Sequence, residues 1–221
     1  MATGVKSSRA APTSRAERAR ATRTRILRAA YSLFAAQGYP KVTMAAVAAE
    51  AGVAVQTLYF TFGTKAELLQ HAYDYAVLGD GEAVPPTEQS WYRDMQAAED
   101  LGEALRILVE NVGAVMARTA PLDEFVRAAS IEPEPARVRQ ATETRRREAW
   151  RDMVQSLGGR CPLRDGLTVE RATDVLMVVM SPSTYQNFVG LYGWTPAEWQ
   201  EWCAQALSTQ VFQAHRSRDG F

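Results

Sequence analysis

The segment that most constrains the fold is residues 43–69, with the sequence TMAAVAAEAGVAVQTLYFTFGTKAELL. Thr43 is a favourable N-cap for a short alanine-rich helix, and Gly52 permits a sharp turn because glycine has no Cβ. A second short helix is predicted to begin near Ala54, held to the first by apolar residues on both. This pattern predicts a helix-turn-helix, and its structural alternative is an ordinary helical hairpin inside a bundle.

A further helix start follows directly. Residues 64–67, Thr-Lys-Ala-Glu, form a capping box, so free backbone amides and the positive end of a helix dipole lie beside Lys65. Such a helix start is a favourable site for a DNA phosphate.

Charge is distributed unevenly along the chain. The 25 basic and 25 acidic residues balance overall, but residues 1–70 contain 10 basic against 3 acidic side chains, a net charge of +7. The remaining residues contain 15 against 22, a net charge of −7. Cationic side chains that neutralise phosphates release counterions and supply sequence-independent affinity for nucleic acid. The asymmetry therefore favours DNA binding over the simple hairpin.

From about residue 20 to residue 69 the chain resembles the DNA-binding domain of the TetR family of bacterial transcriptional regulators. The matching residues lie in the first predicted helix, in the helix-turn-helix and at the start of the next helix: Ile26, Leu27, Ala30, Leu33, Phe34, Gly38, Thr43, Val47, Ala48, Ala51, Gly52, Val53, Thr57, Leu58, Tyr59, Phe62, Lys65, Glu67 and Leu68. The resemblance implies an all-α protein with an N-terminal three-helix DNA-binding domain and a C-terminal helical domain for ligand binding and dimerisation. Two positions depart from the family pattern: Ala54 replaces the usual hydroxyl-bearing cap, and Gln56 replaces the usual small residue.

Side-chain chemistry predicts roles within the DNA-binding domain. Gln56 can pair with adenine at N6 and N7, Thr57 can bond a base edge or pack on a thymine methyl, and Val55 can make only the apolar contact. Phosphate contacts fix register without reading sequence, and they are assigned to Thr43, Tyr59, Thr61 and Lys65. Arg25 is a further predicted DNA contact. For Tyr59 a half-buried core ring is the alternative. The arginine-rich start can follow the DNA backbone or enter a minor groove.

Length and composition fit a folded protein of two domains. The 221 residues are 47% hydrophobic, and we predict a disordered basic arm at 1–14, the helix-turn-helix domain at 15–70 and a regulatory and dimerisation domain at 71–221. No apolar run is long enough for a signal peptide or a membrane span, so a cytoplasmic location without membrane association is expected. Cys161 and Cys203 lack a metal-type spacing, and no metal or other cofactor is expected.

Apolar periodicity and Pro or Gly breaks predict helices at 64–78, 98–118, 121–129, 135–157 and 168–180. The resemblance implies a small-molecule site among the middle helices, and such sites are lined mainly by apolar, aromatic and methionine side chains. The candidates are Trp91, Met116, Phe125, Trp150, Met153 and Met177, with His71 and Tyr75 on the helix that joins the domains. Each of them also fits an ordinary core position.

The sequence of residues 195–198, Thr-Pro-Ala-Glu, predicts the start of a last helix with an aromatic face. This face and the preceding helix either pack within one subunit or, as the resemblance implies, form a four-helix bundle with a second copy. The interface candidates are Val179, Tyr185, Phe188, Trp199, Trp202 and Ala206. A dimer presents two recognition helices about 34 to 36 Å apart, which requires a near-palindromic operator.

These observations favour a homodimeric transcriptional regulator that binds double-stranded DNA, in the family's usual form a repressor released by a small apolar ligand. The alternative is a helical small-molecule-binding protein or an enzyme without DNA activity. An enzyme is disfavoured because the histidines are only His71 and His215, and no phosphate loop, activated nucleophile or metal-ligand cluster is recognisable. A ligand-binding protein alone would not require the basic N-terminal segment.

Overall fold

The computed structural model describes residues 14–79, 84, 86–159 and 161–213. Across these residues the regular structure is helical, and extended backbone pairs only in an isolated bridge between Leu163 and Phe212. The all-α prediction is confirmed. The predicted disordered arm lies outside the described residues except for Ser14, which caps the first helix in a capping box with Glu17.

Four helices form the N-terminal unit: α1 (Arg15–Gln37), α2 (Met44–Ala51), α3 (Val55–Phe62) and α4 (Lys65–Leu78). The Thr43 side chain accepts a hydrogen bond from the Ala46 amide, and Thr64 forms a capping box with Glu67, as the sequence predicts. Gly52 ends α2 in the left-handed conformation with φ of 64°, which glycine adopts without steric cost.

Six further α-helices follow in the described part of the chain: α5 (Ser90–Ala97), α6 (Leu101–Ala129), α7 (Pro133–Gly158), α8 (Val169–Val179), α9 (Pro182–Tyr185) and α10 (Pro196–Gln210). A 3-10 turn lies at Pro86–Glu88, and a π-helical segment lies at Gln186–Leu191. The short α5 and the π-helical segment were not predicted from the sequence.

Helix α6 corrects the prediction of two helices separated at Pro121. Proline removes one backbone donor from a helix and therefore often ends it. Here Ala120 and Leu122, on either side of the proline, are both buried. Packing on both sides therefore keeps the helix continuous through Pro121.

The buried side chains form two clusters, and α6 contributes to both. The regulatory core lies among α5 to α10 and includes α6 residues up to Ala120. The N-terminal core lies among α1 to α4 and also includes Leu122, Val126 and Ala129 of α6 and Val138 of α7. The change from one core to the other occurs at Pro121.

Within the described residues, no single helix combines the length and apolar composition of a membrane span. Helices α2 and α3 meet that criterion only as a pair, by length and composition alone, and they are bent by 108°.

Candidate DNA-binding surface and ligand cavity

Helix α3 is anchored on one side and exposed on the other. Leu58 and Phe62 are buried, whereas Gln56 and Tyr59 are exposed. The helix starts without a side-chain cap, because Ala54 has no polar side-chain atom. An anchored inner side and an exposed outer side are what a recognition helix requires in order to enter a major groove.

The other residues predicted to contact DNA differ in their exposure and in the hydrogen bonds that their side chains make within the protein. Thr43 Oγ1 accepts from the Ala46 amide at 3.1 Å, and Thr61 Oγ1 donates to the Thr57 carbonyl at 2.7 Å. Arg25 is exposed on α1, and Val55 and Thr57 are half-buried. A hydroxyl group can make more than one hydrogen bond, so the threonine contacts with DNA stay predictions.

Phe60 is an exposed residue of this surface that the sequence analysis missed. Its side chain is 94% exposed on the outer side of α3, one helical turn after Gln56. The helical periodicity of about 100° per residue was enough to find it, because position 60 falls opposite the side that carries Leu58 and Phe62.

Lys65 has an internal role in addition to its predicted role at a phosphate. Its Nζ donates to the carbonyls of Tyr39 at 2.9 Å and Val42 at 3.1 Å, and it lies 4.1 Å from the centroid of the Tyr39 ring. The ammonium group therefore ties the start of α4 to the turn between α1 and α2. An ammonium has three donors, so one is left for a phosphate, and the DNA contact stays a prediction.

His71 and Tyr75 lie on the side of α4 that faces α1. His71 Nδ1 is 3.3 Å from the guanidinium of Arg23, and the His71 ring meets the Phe62 ring edge-on, with 5.4 Å between centroids. Burial and the charge of Arg23 lower the pKa of His71, so the neutral imidazole can accept a hydrogen bond from Arg23. The Tyr75 ring contacts the ring of Tyr31.

A cavity of about 620 Å³ lies between α4, α5, α6 and α7. Four of the residues predicted for a ligand site line it: Trp91, Met116, Trp150 and Met153. Its polar groups include Thr119 and an ion pair of Asp74 with Arg145, with 2.8 Å between Oδ1 and the guanidinium nitrogen. A mainly apolar cavity with a few polar groups is typical of a small-molecule site.

The other four predicted ligand residues lie outside this cavity in the described structure, which corrects their assignment. His71 and Tyr75 face α1, and Met177 is half-buried against the regulatory core. Phe125 packs on Gly38, where an added Cβ would lie 2.8 Å from the Phe125 ring and where φ is 77°. Helical periodicity identifies apolar faces, but it does not identify the neighbour that each face meets.

Arg118 joins the cavity wall to the end of α4. Its Nε donates to the Ala76 carbonyl at 2.8 Å, and a terminal nitrogen donates to the Val77 carbonyl at 3.2 Å. Val77 and Met116 both line the cavity. The backbone carbonyl of Arg118 accepts a hydrogen bond from Tyr31 Oη at 3.0 Å. Contacts of this one residue therefore connect α6, α4 and α1.

A polar cluster lies where the two cores meet. Asp123 accepts hydrogen bonds from Tyr73 at 3.5 Å and from Ser183 at 3.3 Å. Burial raises the pKa of the Asp123 carboxyl group, and the nearby guanidinium of Arg146 opposes that shift. Tyr73 and Arg146 also line the cavity, so a ligand there would adjoin this cluster.

Two of the residues predicted for the dimer interface, Trp199 and Tyr185, are instead buried within the subunit. Trp199 is 0% exposed, and its ring lies 5.1 Å from the ring of Tyr185, which is also buried. Both residues therefore belong to the core of one subunit, and they cannot present a surface to a second one. Trp202 stacks on Phe188 at 4.7 Å, and both are half-buried.

The exposed apolar side chains at this end are different residues. Val178 is 69% exposed, and Leu191 and Tyr192 are also exposed. Val179 and Ala206 are half-buried. The aromatic periodicity of α10 therefore marks a face that is largely internal to the subunit.

Residues 26–72 match the family model described as bacterial regulatory proteins, tetR family. A comparison with curated protein sequences finds no match. The matched segment contains most of α1, all of α2 and α3, and the first half of α4.

Solved structures share the fold over most of the chain. NalD from Pseudomonas aeruginosa, described as the secondary repressor of the MexAB-OprM multidrug efflux pump, is 17% identical with a TM-score of 0.64, over 91% of this chain and 100% of NalD. The fatty acid degradation regulator FadR from Bacillus halodurans is 19% identical with a TM-score of 0.59, over 83% of this chain and 92% of FadR.

A third structure contains a small molecule. It is a proposed transcriptional regulator from Saccharomonospora viridis in complex with choline, 18% identical with a TM-score of 0.63, over 88% of this chain and 99% of that one. The family match supports a regulator over the enzyme alternative. Residues 26–72 therefore form a domain of the tetR family of bacterial regulatory proteins, and the chain shares its overall fold with these solved structures.

Proposed function

We propose that the chain is a dimeric transcriptional repressor that binds a near-palindromic operator and leaves it when a small, largely apolar ligand occupies the cavity. The observation that carries the DNA-binding part is α3, whose inner side is buried while its outer side presents Gln56 and Tyr59. The net charge of +7 in residues 1–70 provides the attraction to phosphates.

In this proposal the contacts divide by role. Gln56, Thr57 and Val55 read base edges, because they offer the amide, hydroxyl and apolar groups that the major groove distinguishes. Backbone contacts fix the register of the protein on the duplex, and they come from Thr43, Tyr59, Thr61, Lys65 and Arg25.

The proposed dimer uses the exposed side of the C-terminal helices. The Phe188 ring contacts the rings of both Tyr192 and Trp202, so these three side chains form one patch. Tyr192 is exposed and the other two are half-buried, so the patch presents apolar surface that favours an interface with another molecule. A second copy related by a two-fold axis would cover the patch and place two α3 helices about 34 to 36 Å apart.

The proposed release mechanism is a shift between two populations of the dimer. A ligand that fits the cavity better when α4 has moved would favour a state whose α3 helices no longer match successive grooves. Arg118 is suited to transmit this change, because it holds the last carbonyls of α4 beside the cavity and its own carbonyl bonds Tyr31 of α1. Coupling free energies of about 1 to 3 kcal/mol are usual in such systems.

Similar structures support the repressor and ligand parts of the proposal. NalD is described as a repressor, and the Saccharomonospora viridis protein was solved with a bound small molecule. A cavity of about 620 Å³ leaves room for a ligand of modest size.

The DNA-binding part is tested by gel retardation of the DNA upstream of the chain's own gene, with the full chain and a series of salt concentrations. We expect retardation at low salt and a linear fall of log K with log salt concentration. A random fragment of equal length is the control. Absence of retardation for every fragment at low salt would contradict the proposal.

The ligand part is tested by a thermal-shift screen of small apolar compounds followed by retardation in the presence of each hit. A compound at 100 times its dissociation constant stabilises the native state by about 2.7 kcal/mol. We expect a hit to release the operator in the wild-type chain. In Arg118→Met the same compound should still bind, but it should release DNA less effectively. Equal release by both proteins would remove Arg118 from the mechanism.

A further inference from the structure

Phe60 has an exposure that the protein's own packing does not explain. Its side chain is 94% exposed, and among the large apolar side chains of the described residues only Ile131, at 95%, is comparably exposed. Ile131 lies in the turn between α6 and α7, far along the chain from α3. An aromatic ring left almost entirely in water favours contact with another molecule.

The position of Phe60 on α3 indicates which molecule it meets. At about 100° per residue, the buried Leu58 and Phe62 define the inner side, and Phe60 projects nearly opposite to them. Gln56 lies about 40° away on the same outer side, whereas Tyr59 lies on the flank. If α3 enters a major groove, Phe60 is therefore the side chain that projects most directly into it.

The chemistry of the ring restricts what it can contact there. A phenylalanine side chain has no hydrogen-bond donor or acceptor, so it cannot bond a phosphate or the polar edge of a base. The C5 methyl group of thymine is the apolar group that base pairs present in the major groove.

We propose that Phe60 packs on a thymine methyl group of the operator, within about two base pairs of the base that Gln56 reads. The spacing follows because four helical residues span about 6 Å and successive base pairs lie about 3.4 Å apart. This inference rests on the proposed function, since it requires α3 to lie in the major groove.

The test is a double-mutant cycle between protein and DNA. A duplex selected from a randomised library by the full-length wild-type chain is resynthesised with uracil in place of each thymine in turn, which removes only the methyl group. At one thymine in each half-site, uracil should lower the affinity of the wild-type chain about fourfold, the equivalent of about 0.8 kcal/mol for one buried carbon. Phe60→Ala should bind the thymine duplex at least about fourfold more weakly, because it loses the same methyl contact, and it should not distinguish thymine from uracil at that position.

Two controls keep the result interpretable. Ile131→Ala removes an equally exposed apolar side chain that is not part of α3, and it should bind the thymine duplex like the wild type. Phe60→Leu keeps an apolar side chain, and it should retain part of the preference for thymine. Thermal unfolding should be unchanged in Phe60→Ala, because the ring is not packed in the core.

The outcomes separate the two proposals. Sequence-specific binding that no uracil substitution weakens would overturn the role of Phe60 and leave the DNA-binding function intact. A loss on uracil that is equal in wild type and Phe60→Ala would assign the methyl contact to another residue. Failure of the chain to select any DNA would overturn both proposals.

Discussion

The two halves of α6 belong to different cores although they form one helix. Residues before Pro121, such as Leu108, pack in the regulatory core, whereas Leu122 and Val126 after it pack with α1 to α4. The DNA-facing unit therefore includes residues from far along the chain. A boundary near residue 70 separates the sequence motifs, but it does not separate the buried clusters.

This difference has a mechanical consequence. The first half of α6 lines the cavity through Val112, Val115, Met116 and Thr119, and the second half completes the core beneath the helix-turn-helix. Because close-packed cores resist gradual deformation, a displacement of one half is transmitted to the other. Because the two halves pack in different cores, a substitution in the first half should mainly affect ligand binding, and one in the second half should mainly affect DNA binding.

The largest expected loss of stability is that of Trp199→Ala, and it is compared with the loss caused by Trp202→Ala in the same region. Trp199→Ala should lower the free energy of unfolding by about 3 to 5 kcal/mol, because it empties a fully buried site. Trp202→Ala removes a half-buried ring and should cost less in stability while it weakens self-association. Urea unfolding and sedimentation measure the two effects. Full stability of Trp199→Ala together with loss of the dimer would restore the interface assignment of Trp199.

Substitutions of two leucines of α6 compare the two buried cores within a single helix. Leu108→Ala and Leu122→Ala are chemically identical changes at fully buried positions, and each should cost about 2 to 5 kcal/mol of stability. Under conditions where both variants are folded, Leu122→Ala should weaken DNA binding more, because it loosens the N-terminal core. Unfolding curves and retardation assays measure this difference. Equal loss of DNA affinity would indicate that the two cores respond as one unit.

The N-terminal core also depends on a charged group that the sequence assigned to DNA alone. Lys65→Met should lower the free energy of unfolding by about 1 to 3 kcal/mol, because the carbonyls of Tyr39 and Val42 lose a cationic donor. Lys41→Met is the matched control, since Lys41 is exposed and forms no hydrogen bond or ion pair within the described part of the chain. Thermal unfolding of both variants compares them. An unchanged melting temperature for Lys65→Met would show that its hydrogen bonds to the two carbonyls do not stabilise the fold, and only the proposed DNA contact would be left for Lys65.

The smallest expected effect on stability is at the outer side of α3. Gln56→Ala should leave unfolding within about 0.5 kcal/mol, since Gln56 is exposed. On the best operator it should cost about 1 to 3 kcal/mol of binding and relax preference at one base pair. Titrations on the operator and on random DNA separate these effects. Equal losses on both would remove Gln56 as a base reader.

The N-terminal helices were predictable from sequence because their ends carry local signals. Thr43, Gly52 and the Thr64–Glu67 capping box each act within a few residues of their own position, and their helices begin and end as expected. The same local rule failed at Pro121, where burial of the residues on either side overrides the helix-breaking tendency of proline.

The candidate site was only partly predictable, because its formation depends on long-range packing. Trp91, Met116, Trp150 and Met153 come together around the cavity from three helices, and their apolar character was the available signal. Phe125 has the same character, but it packs on Gly38 instead. In its second role, Lys65 bonds through Nζ to two carbonyls more than 20 residues earlier in the chain. Sequence spacing does not reveal a contact over that separation.

We propose that two copies of this chain read DNA as a two-fold unit through α3. The decisive experiment is selection from a randomised DNA library with the full chain. We expect enrichment of an inverted repeat whose half-site centres lie about one helical turn, or a multiple of it, apart. Enrichment of a single unrepeated motif, or no enrichment at low salt, would contradict it.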